Sequence, residues 1–321
     1  MTVIVRSFAK INLGLCIGAR RDDGFHELLT IYQTIGLHDV IRVTIGRGSG
    51  IEIQCADPRV PRDESNTCYR IVEKAMPSLK AKGRVTIEIE KRLPVQGGLG
   101  GASANAGAVL LGLERALKKS LPAQERLRIT AEVGSDLPLF LMGGTVLGIG
   151  RGEQVYPLED FPTTACVIVT PEVGVSTPRA FAEWDRKLTL PKASDRMIEL
   201  GRGLSAWLSE NNSGAPRGRQ HGTQRGRAEN PLLALVRAGI ENDFEQVVFP
   251  EYPELSEGKS ALERAGAKYA SLSGSGSTLY GLFVSKEAAR AAVARLRKQG
   301  WAAQATVTLT RGQYWRRVVA G

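Results

Sequence analysis

The sequence is poor in cysteine. Its 321 residues include only four cysteines, which stand far apart and form no CxxC pair. This spacing suggests neither a zinc site nor a set of disulfide bonds, and it is typical of proteins that fold in a reducing compartment. We therefore expect a cytoplasmic protein. The four are Cys16, Cys55, Cys68 and Cys166.

Long apolar runs are also missing. The chain has no stretch of about 20 apolar residues, the length that spans a bilayer. Near the N-terminus, Arg6 and Lys10 interrupt the apolar residues that a signal peptide would keep together. The sequence thus favours neither export nor insertion into a membrane.

Acidic residues are too few to balance the basic ones. Lys and Arg number 43 against 33 Asp and Glu, which gives a formal net charge of +10. A basic protein attracts anions such as nucleic acid, acidic lipid or phosphorylated metabolites. Charge alone does not choose among these anions. The sequence has no RNP-like aromatic motif and no zinc-finger spacing, so we expect no nucleic-acid partner, and we expect no membrane partner. The oligomeric state is left open.

The length of the chain predicts two domains. With 42% hydrophobic and 24% charged residues the composition is that of a globular protein, and domains usually contain roughly 100 to 200 residues. We expect one domain at residues 1–155 and a second at 156–321. Residues 211–229 are rich in Gly, Arg, Gln and Asn and predict a flexible surface insertion, with an RNA-contacting arm as the alternative.

Stretches rich in β-branched residues predict strands, and repeated leucines predict helices. Leu110, Leu113 and Leu117 recur at the spacing of one helix face, so a helix should follow Ala102. The glycine-rich segment 46–50 predicts a hairpin turn between two strands. The second half should form an antiparallel sheet with helices on one face. Strands are predicted at residues 3–5, 40–45, 51–54, 85–90, 166–170, 269–272 and 279–284, and further helices at 123–133 and 286–298.

The strongest chemical signal is the glycine-rich segment 94–106, directly before a predicted helix. Glycines let backbone N–H groups point at an anion, and a helix N-terminus adds partial positive charge. The segment is not a Walker A loop, since no Lys-Ser or Lys-Thr closes it. It also departs from GxGxxG, because Ser103 stands in the place of the last glycine. Composition alone leaves both a phosphate-binding loop and a tight turn open.

Three segments together resemble the motifs of the GHMP kinases, a superfamily of small-molecule kinases. Residues 7–13 resemble the first motif, 94–106 the second and 272–277 the third. The resemblance implies an α+β fold of two domains, an N-terminal ribosomal-protein-like domain and a C-terminal ferredoxin-like α/β sandwich, with catalysis between them. It also implies that ATP and Mg²⁺ bind at the second motif. The residues expected to hold ATP there are Pro94, Gly97, Gly98, Leu99, Gly100, Gly101, Ala102, Ser103 and Ala104.

Longer strings narrow the resemblance within that superfamily. Residues 9–13, 21–28 and 134–138 look like the branch that works in the non-mevalonate (methylerythritol phosphate) pathway to isoprenoid precursors. This implies an ATP-dependent transfer to the 2-hydroxyl of a methylerythritol that carries a cytidine diphosphate. A kinase of the same superfamily that acts on homoserine or on a mevalonate derivative is the nearest alternative.

By this resemblance, Lys10 and Asp136 are the expected catalytic residues. Asp136 would accept the proton of the substrate hydroxyl or orient that hydroxyl, and Lys10 would keep the carboxylate ionised and offset phosphoryl charge. Side chains alternate in an extended segment, so Lys10 and Asn12 should project from one face. The structural alternatives are a solvent-facing Lys–Asn pair on an edge strand and a helix-capping role for Ser135 or Asp136.

Aromatic residues are expected to bind the cytidine ring. Phe25 and His26 match the family segment that contacts the ring, and Phe181 matches an aromatic residue on its far side; flat rings stack on flat bases. These rings could equally be core residues, and His26 a surface histidine. Asn66 matches a position near the adenine and could instead cap a helix. The resemblance adds Asn12, Thr177, Gly274, Ser275 and Gly276 to the substrate site.

Some positions depart from the family's usual residues. Ala102 and Ala104 replace a Gly and a Ser, which leaves Ser103 as the hydroxyl for phosphate or magnesium. Phe25 replaces a frequent Tyr and so removes a possible hydroxyl contact to the nucleotide. The Arg-rich insertion has no counterpart in compact members, and the sequence names no further metal ligand. Because Lys10 and Asp136 are both present, a catalytically dead binding homologue is disfavoured.

Overall fold

The chain forms two sheets flanked by helices in a computed structural model that describes residues 1–187, 202 and 241–319. The insertion predicted at residues 211–229 lies outside the described residues. Within that described part, none of the helices combines the length and the apolar character that crossing a lipid bilayer requires.

The first sheet has six strands within the described ranges, in the order β3-β4-β2-β5-β6 with β1 paired to β2. They are β1 (Thr2–Arg20), β2 (His26–Gly46), β3 (Ile51–Cys55), β4 (Arg84–Glu90), β5 (Thr145–Gly150) and β6 (Gln154–Pro157). The helices of this half are α1 (Thr67–Ser78), α2 (Gly101–Leu117) and α3 (Ala123–Val133), followed by a 3-10 helix (Pro138–Leu141).

Strands β1 and β2 form one long antiparallel hairpin, far longer than the short strands predicted from β-branched residues. Lys10 lies opposite Thr34 and Asn12 opposite Tyr32, with register shifts on either side of this stretch. Polar residues and glycines break the hydrophobic pattern here, so the sequence predicted only the apolar ends of the two strands. The hairpin places the first motif midway along β1, opposite β2.

The prediction of a hairpin turn at residues 46–50 is wrong. Strand β3 does not pair with β2; it pairs in parallel with β4, and β4 lies between them. The reason is helix α1. It lies between β3 and β4 in the sequence and returns the chain to the end of the sheet at which β3 begins. Parallel neighbours require such a crossover.

The second sheet has four strands within the described part of the chain, in the order β10-β7-β9-β8, and all neighbours are antiparallel. With its helices, this order is the ferredoxin-like arrangement that the resemblance implied. The strands are β7 (Ala165–Val169), β8 (Tyr269–Leu272), β9 (Leu279–Phe283) and β10 (Ala303–Val307). The helices are α4 (Thr177–Lys187), α5 (Glu245–Glu251), α6 (Pro253–Arg264), α7 (Lys286–Lys298) and α8 (Arg311–Val318).

Strand β7 shows how the two halves share a core. All five of its residues are buried, so both of its faces are covered. Val167 and Val169 pack with the helices of the second half, whereas Cys166 and Ile168 pack with Ile11 and other residues of the first sheet. Alternate residues of a strand face opposite sides. The two sheets therefore share a continuous apolar contact through β7.

Candidate active site

The carboxylate of Asp136 lies next to the ammonium group of Lys10. Lys10 Nζ is 3.4 Å from Asp136 Oδ2 and donates a hydrogen bond to Asn12 Oδ1 at 2.7 Å. Lys10 and Asn12 are 3% and 1% exposed, which excludes a solvent-facing pair on an edge strand. The 3-10 helix after Asp136 has Leu137 at its N-cap and no side-chain cap, so Asp136 does not cap it.

A tyrosine that the sequence did not single out contacts the same carboxylate. The Tyr32 hydroxyl donates a hydrogen bond to Asp136 Oδ1 at 2.9 Å. Burial, and then the charge of Asp136, raises the pKa of Tyr32 well above its usual value, so the hydroxyl stays protonated at neutral pH. Its position opposite Asn12 becomes visible only when the register of the β1–β2 hairpin is known.

The first glycine-rich segment leads into α2 without a side-chain cap. Gly98 and Gly100 have φ angles of +74° and +68°, and Gly100 is the N-cap residue of the helix. Because no side chain caps this end, the first N–H groups of α2 are open to an anion. Ser103 lies partly exposed on the first turn. This geometry presents backbone N–H groups to an anion, although it holds no Walker lysine.

The two glycine-rich segments touch each other. The Ser273 hydroxyl donates to the carbonyl of Gly98 at 2.9 Å, and the backbone N–H of Thr278 donates to the carbonyl of Gly97 at 3.2 Å. A Cβ atom on Gly98 would lie 2.0 Å from the Ser273 carbonyl oxygen. The second and third motifs, about 175 residues apart in sequence, are thus one surface in the folded protein.

A cavity of about 360 Å³ opens beside this surface. Asn66 caps α1, because its Oδ1 accepts a hydrogen bond from the Cys68 N–H at 2.8 Å, and it also lines the cavity. The capping role is confirmed, while the adenine contact stays a prediction. Burial raises the pKa of the neighbouring Cys68 thiol to about 12. The predicted ATP residues that line the cavity are Pro94, Gly97, Gly98, Leu99, Gly100, Gly101, Ala102 and Ser103.

Asp39 fixes the start of the glycine-rich segment. Its carboxylate is fully buried and accepts hydrogen bonds from Lys91 Nζ at 2.6 Å and from the backbone N–H groups of Arg92 and Leu93, both at 2.7 Å. Lys91 lines the 360 Å³ cavity and a second one of about 680 Å³. Sequence reasoning passed over Asp39, because an acid within an apolar strand carries no motif.

The second glycine-rich segment is held over Lys10 and Asn12. Asn242 Nδ2 donates to the carbonyls of Leu272 and Gly274, each at 2.8 Å. A Cβ atom on Gly274 would lie 3.4 Å from Lys10 Nζ and 3.5 Å from Asn12 Oδ1. The structure therefore brings this segment to the Lys10–Asp136 pair. Asn242 is a further residue that the sequence did not single out.

Thr177 and Ser275 connect α4 to the second glycine-rich segment. Their hydroxyl oxygens are 2.7 Å apart, a hydrogen-bonding distance. Thr177 begins α4, and Phe181 lies one turn later on the same helix. The predicted substrate residues of the second half are therefore joined to each other, with Gly274 and Gly276 in the same segment.

The predicted cytidine-binding rings lie in two groups. His26 stacks on Phe181 with ring centroids 4.9 Å apart and an interplanar angle of 7°, and His26 Nε2 is 2.6 Å from Asp185 Oδ1. Phe25 is half exposed, and the guanidinium carbon of Arg151 lies 4.8 Å from its ring centroid. His26 is buried, so it is not a surface histidine. Arg151 adds a cation that the sequence did not single out.

Magnesium would have few protein ligands here. Within residues 1–187, 202 and 241–319, no group of three or more His, Cys, Asp or Glu side chains could hold a metal ion. Mg²⁺ in nucleotide sites is typically bound by phosphate oxygens and water with one or two protein groups. The partly exposed hydroxyl of Ser103 is one protein group of this kind.

Two family models match the chain. Residues 66–144 match the model for the GHMP kinases N terminal domain, and residues 228–301 match that for the GHMP kinases C terminal. A 4-diphosphocytidyl-2-C-methyl-D-erythritol kinase from Solibacter usitatus is 38% identical over 284 residues, 88% of this chain and 82% of the relative.

Solved structures agree in fold. A crystal structure of 4-(cytidine 5'-diphospho)-2C-methyl-D-erythritol kinase superposes with a TM-score of 0.71 and 28% identity, over 95% of this chain and 98% of the other. A homoserine kinase from Cytophaga hutchinsonii superposes with a TM-score of 0.72 over 96% and 95% of the two chains. At 21% identity, this similarity shows a shared fold alone.

Proposed function

The chain belongs to the 4-diphosphocytidyl-2-C-methyl-D-erythritol kinase family of the GHMP kinases, and we infer that it phosphorylates the 2-hydroxyl of that cytidine diphosphate compound with ATP. It is a small-molecule kinase of the methylerythritol phosphate pathway to isoprenoid precursors. The roles of its individual residues in this reaction are our proposal.

The observation that carries the proposed site is the position of Asp136. Its carboxylate lies 3.4 Å from Lys10 Nζ, and Lys10 is close to the second glycine-rich segment. Phosphoryl transfer depends on placing the acceptor hydroxyl in line with the γ-phosphate and on offsetting charge. A carboxylate beside a buried cation, next to a phosphate-binding loop, meets both needs.

We propose that ATP lies along residues 97–103 with its phosphates towards the N-terminus of α2. The uncapped N–H groups there and the positive end of the helix would stabilise the β- and γ-phosphates. The adenine would occupy the 360 Å³ cavity beside Asn66. Magnesium, when bound, would neutralise phosphate charge, and the Ser103 hydroxyl is the protein oxygen offered to it or to a phosphate.

Beyond the γ-phosphate, Asp136 would accept the proton of the substrate 2-hydroxyl or orient that hydroxyl. Lys10 would keep the carboxylate ionised and offset charge on the phosphoryl group as it moves to the hydroxyl oxygen. Asn12 fixes Lys10 through their 2.7 Å hydrogen bond. The segment 273–277, held by Asn242, would lie over the reacting groups.

The cytidine diphosphate would extend towards α4. The half-exposed ring of Phe25 offers a flat surface to the base, and the stacked rings of His26 and Phe181 form the other aromatic group of the site. Arg151, over Phe25, places a guanidinium group where it could meet the diphosphate. Thr177 and Ser275 offer hydroxyl groups between the two ends of the site. These features suit a cytidine nucleotide better than homoserine or mevalonate, which carry no base.

The cellular and domain assignments stay predictions. We propose that the protein works in the cytoplasm on a soluble small molecule, and that residues 1–155 and 156–321 are its two domains. The ATP segment and Asp136 then belong to the first domain and the segment 273–277 to the second, which puts the reaction between them.

Two substitutions test the proposed roles. Asp136→Asn removes the charge of the carboxylate with little change in size, and Lys10→Ala removes the cation. Each should lower the turnover by about 10² to 10³ fold or more, as losses of preorganised charged groups do. Steady-state kinetics with ATP and the cytidine diphosphate compound measures this.

Glu132 and Lys74 provide matched controls. They form an exposed ion pair, with Nζ and Oε2 2.7 Å apart, in the same half of the chain. Glu132→Gln and Lys74→Ala should keep near-normal turnover, because exposed pairs contribute little. If Asp136→Asn or Lys10→Ala also kept near-normal turnover, the proposed roles would be wrong.

A further inference from the structure

The carboxylate of Asp136 is held at both of its oxygens. Tyr32 OH donates to Oδ1 at 2.9 Å, while Lys10 Nζ lies 3.4 Å from Oδ2. One partner is a neutral hydroxyl inside the sheet, and the other is a cation beside the second glycine-rich segment. Two different contacts define the rotation of the carboxylate as well as its position.

Packing fixes the direction of the Tyr32 hydroxyl. The side chain is 1% exposed and packs against Phe140 and Val146. A Cβ atom on Gly148 would lie 2.5 Å from Tyr32 Cε2, and one on Gly152 would lie 2.4 Å from the hydroxyl oxygen. Glycine at both positions therefore leaves the space that the ring and its hydroxyl occupy, and a side chain at either position would displace them.

The Tyr32 hydroxyl acts towards Asp136 as a hydrogen-bond donor and not as an acceptor. An ionised carboxylate accepts hydrogen bonds and donates none, so the O–H of Tyr32 points to Asp136. Burial first, and then Asp136 and Glu153, raises the pKa of Tyr32 well above its usual value. Lys10, from β1, lies beside Asp136, and Glu153, from the turn between β5 and β6, acts on Tyr32 through its charge.

We propose that Tyr32 is a positioning residue for the transfer: its hydroxyl holds Asp136 Oδ1, so that Oδ2, beside Lys10, is the oxygen presented to the substrate hydroxyl. In the reaction, the substrate O–H bond breaks towards Asp136, the O–P bond forms, and the bond from the γ-phosphorus to ADP breaks. Tyr32 gains and loses no proton. This inference rests on the proposed role of Asp136.

Tyr32→Phe removes only the hydroxyl and tests the inference. Because a misplaced catalytic group costs about tenfold to 10² fold in rate, kcat should fall by that factor. KM for ATP and for the cytidine diphosphate compound should change by less than about threefold, since Tyr32 is 1% exposed and lies outside the proposed contacts to either compound.

Tyr314→Phe is the matched control. Tyr314 is also buried, and its hydroxyl donates to the carbonyl of Phe140 at 2.6 Å and not to Asp136. Both variants should lower the melting temperature to a similar extent, but only Tyr32→Phe should change kcat. If Tyr32→Phe matched Tyr314→Phe in every respect, or raised only the substrate KM, the inference would be overturned.

Asp136→Asn separates this inference from the proposed function. If Asp136→Asn abolishes turnover while Tyr32→Phe leaves kcat unchanged, only the role of Tyr32 fails. If Asp136→Asn retains turnover, the proposed function of Asp136 fails and the role of Tyr32 fails with it.

Discussion

The hydroxyl of Ser273 donates a hydrogen bond to the carbonyl of Gly98, and this contact joins two glycine-rich segments from the two halves of the chain. Gly98 has a φ of +74°, and a Cβ atom on it would lie 2.0 Å from the Ser273 carbonyl oxygen. The first segment can keep its shape only if the second lies against it without a side chain in between. The proposed ATP site is therefore a product of both halves.

Gly98→Ala should disrupt the ATP site. The added methyl group meets backbone atoms that cannot move without shifting the segment 273–277, so kcat/KM for ATP should fall by at least about 10² fold. Kinetics at varied ATP concentration measures the loss. Gly48→Ala is the control, since Gly48 also has a positive φ, +95°, but open space around it. It should cost about 1 to 2 kcal/mol of stability and leave activity intact.

Asp39→Asn should destabilise the protein and weaken the ATP segment. Asp39 is fully buried with Lys91, so the substitution leaves an unpaired buried ammonium group. Breaking a buried pair in this way costs about 3 to 5 kcal/mol of unfolding free energy, which thermal or urea unfolding measures. Glu52→Gln removes an exposed partner of Arg84 in the same sheet and should cost at most about 1 kcal/mol. Equal costs for the two variants would contradict the anchoring role of Asp39.

Phe181→Leu should weaken binding of the cytidine ring. Base–aromatic stacking contributes about 1 to 3 kcal/mol, so KM for the cytidine diphosphate compound should rise by about tenfold while KM for ATP stays unchanged. Phe249→Leu is matched, because Phe249 packs at the edge of the same apolar cluster but does not stack on His26. A similar rise in KM for both variants would argue for a general packing effect instead.

The cysteine thiols should resist alkylation in the folded protein. All four are buried, and burial raises the pKa of Cys68 to about 12 and that of Cys166 further. A thiol with a raised pKa stays protonated, and therefore unreactive, as the pH rises from 7 to 9.5. Mass spectrometry after iodoacetamide treatment should find little labelling of the native chain across this range. In guanidinium chloride, four labels per chain should appear, faster at the higher pH; rapid native labelling of Cys68 would contradict its burial.

The sequence predicted the residues that carry motifs and missed those that support them. Lys10 and Asp136 were found because they stand in recognisable strings, and the structure does bring them together. Tyr32 reaches Asp136 from 104 positions away along the chain, and no local pattern marks such a contact. Asp39 was missed for the same reason, since its partners follow a different strand.

The fold prediction was wrong where the pairing of a strand depended on contacts between residues far apart in the sequence. The apolar strand segments and the helices at 123–133 and 286–298 follow from local periodicity, and the structure has them. Whether residues 51–55 pair with β2 or β4 depends on where α1 returns the chain. The packing of α1 and α2 over the sheet decides this pairing, and residues 46–50 carry no information about that packing.

The most direct test of the central claim is to offer the purified protein ATP with the cytidine diphosphate compound of methylerythritol, with homoserine and with mevalonate in parallel. We predict that kcat/KM for the cytidine diphosphate compound exceeds the others by several orders of magnitude, and that ³¹P and ¹³C NMR place the new phosphate on the 2-hydroxyl. Comparable or faster phosphorylation of homoserine or mevalonate would contradict the account.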